Sequence, residues 1–83
     1  MADMDRTLMQ GKLAGLKEDR SRLELKIEGL CGGIRTELNT MVTAINDLDV
    51  LMAANHMDEL KMAYAEYLGV SSQIGKLMKA LHG

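Results

Sequence analysis

Apolar residues recur along this chain in alternating steps of four and three. From Met9 the series runs through Leu13, Leu16, Leu23, Ile27, Leu30, Ile34, Leu38, Met41, Ile45, Leu48 and Met52, with Arg20 filling one slot. Its one fault is Leu30–Ile34–Leu38, two successive steps of four. A fault of that size locally unwinds a coiled coil without ending it. A second series, Met57, Leu60, Tyr64, Tyr67, Ser71, Ile74, Met78 and Leu81, has no fault. Alternation sustained over this length puts one apolar stripe on each helix.

The pattern predicts an all-α chain with three helical stretches, over residues 4–30, 34–53 and 57–82. The gap between the two series, Ala53-Ala54-Asn55-His56, reads as a turn at 53–56. Asn55 is the expected N-cap, with Asp58 and Glu59 where acids suit the helix dipole. A connection this short makes its helices antiparallel neighbours, so residues 34–82 are expected to form a hairpin. Leu48 then lies by Leu60, Met41 by Tyr67 and Ile34 by Ile74, and the last helix runs out near residue 27. Leu8, Met9, Leu13, Leu16 and Leu23 are left without a partner, a stripe about 25–35 Å long. An exposed apolar stripe of that length is unusual for a monomer.

Two architectures cover it. In one, Cys31-Gly32-Gly33 ends the first helix, which folds back to complete a three-helix bundle. Glycine is favoured just past a helix end, and two held in a helix cost about 2 kcal/mol relative to alanine. In the other, the helix runs through the glycines and the stripe pairs with a second chain. The hairpins of a dimer then form a four-helix bundle, and Leu8, Met9, Leu13, Leu16, Arg20 and Leu23 form a coiled-coil-like interface. The apolar phase carries across the glycines, and the 8–30 stripe is narrow, whereas Val42, Leu51, Leu68 and Leu77 broaden the later ones. A narrow stripe suits a two-stranded contact, which favours the second arrangement.

Composition narrows the alternatives further. Eighty-three residues allow a single domain with a thin stability margin. Such chains lean on disulfides, metals or association. Cys31 is the lone cysteine, so it reads as a small apolar residue and an internal disulfide is excluded. Proline, phenylalanine and tryptophan are absent, leaving a helix-former's palette. Ten basic and twelve acidic residues are interspersed, without the basic excess of a nucleic-acid binder. The first six residues lack the apolar core of a signal peptide, and uncharged stretches fall well short of the roughly 20 apolar residues of a membrane span. With a lone thiol, a cytoplasmic setting is expected.

Candidate chemistry adds little. Gly11 and Gly15 stand in a G-x-x-x-G flanked by Lys12 and Lys17, which reads as two tolerated helical glycines with room for close contact at Ala14 and Gly15. Gly29, Gly32 and Gly33 have the wrong spacing for a dinucleotide loop. His56, expected solvated in the turn, and His82 lie at opposite ends of the last helix and cannot share a metal, so neither metal nor cofactor is expected. Asp47 and Asp49 lie on different sides of a helix, Asp58 and Glu59 suit a helix start, and Glu18–Arg22 is a surface pair; no catalytic constellation emerges. Arg20 in an apolar stripe either sets register or snorkels over the seam. Tyr64 and Tyr67 read as core packing rather than a stacking platform, and Ser71 as a small residue making room for Leu38. Eight methionines give an adaptable apolar surface, with Met1 and Met4 exposed at the terminus.

The sequence therefore points to a non-enzymatic structural or interaction protein that self-associates as a homodimer through its helices. The alternative is a small co-chaperone or adaptor, of the kind found in secretion or phage systems, holding a partner's amphipathic helix against the Leu8–Leu23 stripe. Charge disfavours a nucleic-acid accessory role. Neither a Trp-x-Gly turn nor a proline-containing needle loop is present to mark a helical-hairpin family.

Overall fold

The computed structural model describes residues 2–82, with side chains from residue 5. Two long helices, α1 (Ala2–Glu37) and α2 (Val50–His82), are joined by a connection containing one short 3-10 turn, Ile45–Asp47. Among the described residues there is no strand. The helices pack against each other as a hairpin measuring 65 × 16 × 16 Å. Its radius of gyration is 18.7 Å, where a compact chain of this length would have about 12 Å. Met1 and the side chain of Met4 lie outside the described residues.

The seam between the helices follows the alternation without a fault. On α1 the buried and half-buried residues include Met9, Leu13, Leu16, Arg20, Leu23, Ile27, Leu30, Ile34 and Glu37. On α2 they include Ala53, His56, Leu60, Ala63, Tyr67, Val70, Ile74, Leu77 and Leu81. The register is anchored at the loop end. His56 Nδ1 lies 2.9 Å from Glu37 Oε1 and 2.8 Å from Oε2. A carboxylate only accepts, so Nδ1–H donates. Gly33 lies against the ring: a Cβ there would stand 3.4 Å from His56 Nδ1. With Ile34, the neighbour of Gly33, level with His56, equal steps toward the open end level Leu30 with Leu60, Leu16 with Ile74, and Met9 with Leu81.

The hairpin is therefore not the expected one. No helix spans 34–53, and the turn occupies 38–49 rather than 53–56. The reason is local. Eight of the eleven residues from Asn39 to Asp49 are Asn, Asp, Thr, Val or Ile. These lose side-chain freedom in a helix or compete for its backbone hydrogen bonds. Asn39 does the latter, its Oδ1 accepting the Met41 N–H at 3.0 Å. The apolar spacing of Leu38, Met41, Ile45 and Leu48 persists across this stretch without a helix to carry it.

The true N-cap of α2 is Asp49, whose Oδ1 accepts the Met52 N–H at 3.1 Å. Asn55 is an exposed residue inside α2. Helix α1 is continuous through Cys31-Gly32-Gly33, so there is no break at 31–33 and no three-helix bundle. Seam residues on both sides of the glycines, Leu30 and Ile34, hold the helix against α2 and outweigh the propensity cost.

Candidate association surface

Helix α2 carries two overlapping apolar stripes. Both contain Leu60, Tyr67, Ile74 and Leu81. One is completed by Ala53, His56, Ala63, Val70 and Leu77, and this stripe faces α1. The other is completed by Met57, Tyr64, Ser71 and Met78, the series the spacing singled out. It flanks the seam and stays largely open: Met57 is 43% exposed, Tyr64 53% and Met78 40%. The opposite flank of α2 carries Met52, Glu59, Glu66, Gln73 and Ala80 and is polar beyond Met52.

On the open side the two helices leave a shallow groove of about 530 Å³. Ile27, Cys31 and Ile34 form one wall and Met57 and Leu60 the other, with Glu28 and Arg35 at the rim. A second depression continues it toward the open end, between Glu24, Ile27 and Glu28 on α1 and Tyr64 and Tyr67 on α2. Cys31 sits half-buried in the groove with its thiol free. Tyr67 is a half-buried seam residue, as expected, while Tyr64 is mostly outside it.

The loop end is apolar as well. Leu38, Met41, Val42, Ile45, Val50 and Leu51 are all exposed, Met41 at 90%. In total the chain exposes 6414 Å². A compact protein of 9.1 kDa would expose about 4,900 Å². Among the described residues only Leu23, Ala53, Ala63 and Ile74 are buried, and two of these four are alanines.

The stripe expected to be intermolecular is largely used within the chain. Leu23 is buried, and Met9, Leu13, Leu16 and Arg20 are half-buried on the seam; Leu8 alone of the six stands outside it, 67% exposed. The stripe lacked a partner in the expected register because that register placed the turn too late. With the turn at 38–49, α2 is long enough to cover α1 to Met9. Arg20 lies over the seam with Nε 3.8 Å from Glu24 Oε1, the snorkelling arrangement.

Other sites prove structural. A Cβ at Gly11 or Gly15 would meet nothing within 4 Å, so no close helix contact forms there. Arg22 pairs with Asp19 at 2.6 Å rather than with Glu18. Ser71 Oγ is buried with no hydrogen-bond partner. Among the described residues no three His, Cys, Asp or Glu side chains cluster to hold a metal. No described helix is long and apolar enough to cross a membrane. The residues that spacing missed are Asp49, legible as a cap once a helix start at Val50 is entertained, and the Glu37–His56 pair. That pair has no signal at a separation of nineteen residues.

Neither a protein-family model, nor a curated protein, nor a solved structure matches the chain.

Proposed function

We propose that this chain is a non-enzymatic structural or interaction protein that self-associates, two hairpins closing a four-helix, coiled-coil-like bundle over their open apolar sides. One observation carries the reading: an exposed surface of 6414 Å², about 1,500 Å² beyond that of a compact chain of the same mass. A two-helix rod has nowhere inside itself to bury that excess. Each partner in a standard interface contributes about 800 Å², which is within that excess. The lone thiol of Cys31, seated in the groove, suits a reducing cytoplasmic setting.

The experiment is sedimentation velocity over a concentration series. A dimer is expected at micromolar concentration, with a lower frictional ratio than the isolated rod. An elongated monomer that persists at high concentration would overturn the reading. It would favour the second one, a small co-chaperone or adaptor, which the exposed Met41, Val42, Ile45 and Leu51 at the loop end support.

A further inference from the structure

Folding the chain at residues 38–49 sorts its charge. Residues 30–60, which make the loop end, hold Glu37, Asp47, Asp49, Asp58 and Glu59 against Arg35, a net charge of −4. Residues 2–23 and 67–82, which make the open end, hold Arg6, Lys12, Lys17, Arg20, Arg22, Lys76 and Lys79 against Asp3, Asp5, Glu18 and Asp19, a net charge of +3. The shaft between them, residues 24–29 and 61–66, holds three acids and two bases. The rod is thus acidic at one end and basic at the other. Along the linear sequence this is hidden, because the two basic segments stand at opposite ends of the chain.

Building on the self-association proposed above, we infer that the second copy lies antiparallel. The Met57–Tyr64–Met78 sides meet around a two-fold axis, and each acidic loop end lies beside the other copy's basic open end. A parallel arrangement sets −4 beside −4 and +3 beside +3. The antiparallel one sets −4 beside +3 at both ends of the bundle. Packed helices are 8–10 Å apart, about one Debye length at physiological salt, so these fields survive screening at that range. The occupant is a second copy because the two ends of the rod are complementary in charge when one copy is reversed, as a two-fold contact allows. Joining the rods end to end would also match the charges, but it leaves the groove open and does not close.

The test measures the distance between loop ends in the associated state. The native thiol is removed by Cys31→Ser and a spin label is placed at Asn46→Cys; a second chain carries Thr40→Cys instead, both positions being exposed in the connection. Circular dichroism and sedimentation first establish that each variant is helical and associates. Pulsed dipolar spectroscopy then reads the tip-to-tip distance, and small-angle scattering the longest dimension. The expected result is a distance approaching the 65 Å rod length with a longest dimension little greater than that. Tips within about 20 Å, two helix diameters, would mean a parallel dimer and overturn the orientation while leaving self-association intact. A longest dimension near twice the rod would mean end-to-end joining and overturn it too. A monomer of wild type and variants alike would overturn the self-association on which the inference rests.

Discussion

The two apolar stripes of α2 share half their members and differ in the rest. The covered stripe is completed by Ala53, His56, Ala63, Val70 and Leu77, and its two alanines are 5% and 3% exposed. The open stripe is completed by Met57, Tyr64, Ser71 and Met78, of which the two methionines and the tyrosine are large and about half in water. Small side chains stand where two helix axes approach closely, and large ones stand where a wider space has to be filled. The difference teaches that one helix carries two apolar stripes of unequal closeness. The covered one folds the hairpin. The open one is the side proposed above to meet a second copy.

Breaking the covered stripe should have the largest effect. Ile74, 2% exposed, belongs to both stripes, and Leu16 levels with it on α1. Ile74→Asp or Leu16→Asp places a carboxylate in the seam without a partner, at a cost of several kcal/mol. With so few residues buried, the chain has little stability to lose. Far-ultraviolet circular dichroism at 25 °C should show most of the helix signal gone in both variants. A helical signal retained at wild-type strength would mean the register is wrong.

Breaking the open stripe should separate association from folding. Met57→Asp and Tyr64→Asp change residues already in contact with water. The hairpin should stay helical, and the dimer should weaken by at least tenfold for each variant, a loss of about 1.4 kcal/mol or more. Equal mass distributions for wild type and both variants in sedimentation would remove this side of the rod from consideration as an interface.

The comparison also shows how far the sequence could be read. The helical class and the α1 seam from Met9 to Ile34 were legible, because each slot there is filled by a large aliphatic residue or by Arg20. On α2 the spacing favours Met57, Tyr64, Ser71 and Met78, because the competing phase, with Val70 and Leu77, is interrupted at His56 and Ala63, which score weakly as apolar. Spacing ranks hydrophobicity, whereas the folded seam ranks closeness of approach. The turn was misplaced for a related reason: the alternation ran through Leu38, Met41, Ile45 and Leu48, and periodicity outvoted the poor helix propensity of Asn39–Asp49. The candidate interface moved with the turn, from α1 to the open flank of α2.

Between the largest and smallest effects stands the polar anchor of the seam. The His56 and Glu37 side chains are 29% and 15% exposed, enough burial for their hydrogen bond to contribute about 1 kcal/mol. His56→Ala loses that bond and leaves the Glu37 carboxylate half-buried without its donor. The expected effect is a fall in Tm of several degrees, about 4–8 °C per kcal/mol for a chain of this size. Loss should be confined to the loop end, so hydrogen exchange should accelerate over residues 30–37 and 50–57 and change little near Ile74. Uniform acceleration along the rod would mean that the hairpin opens as one unit.

The smallest effect separates two adjacent glycines. Gly32 and Gly33 both lie inside α1, where glycine costs about 1 kcal/mol relative to alanine. A Cβ at Gly32 meets nothing within 4 Å, whereas one at Gly33 reaches the His56 ring at 3.4 Å and 3.6 Å. Gly32→Ala should therefore recover the full propensity term. Gly33→Ala should recover slightly more, because its Cβ comes into van der Waals contact with the ring. Placing both substitutions in the His56→Ala background removes that contact, and the two gains should become equal, a coupling of a few tenths of a kcal/mol readable in a double-mutant cycle. If Gly33→Ala gains no more than Gly32→Ala in the wild type, the ring does not rest against residue 33 and Gly33 is no seat for it. The register would then rest on the aliphatic seam alone, on α1's side mainly Leu16, Leu23 and Leu30.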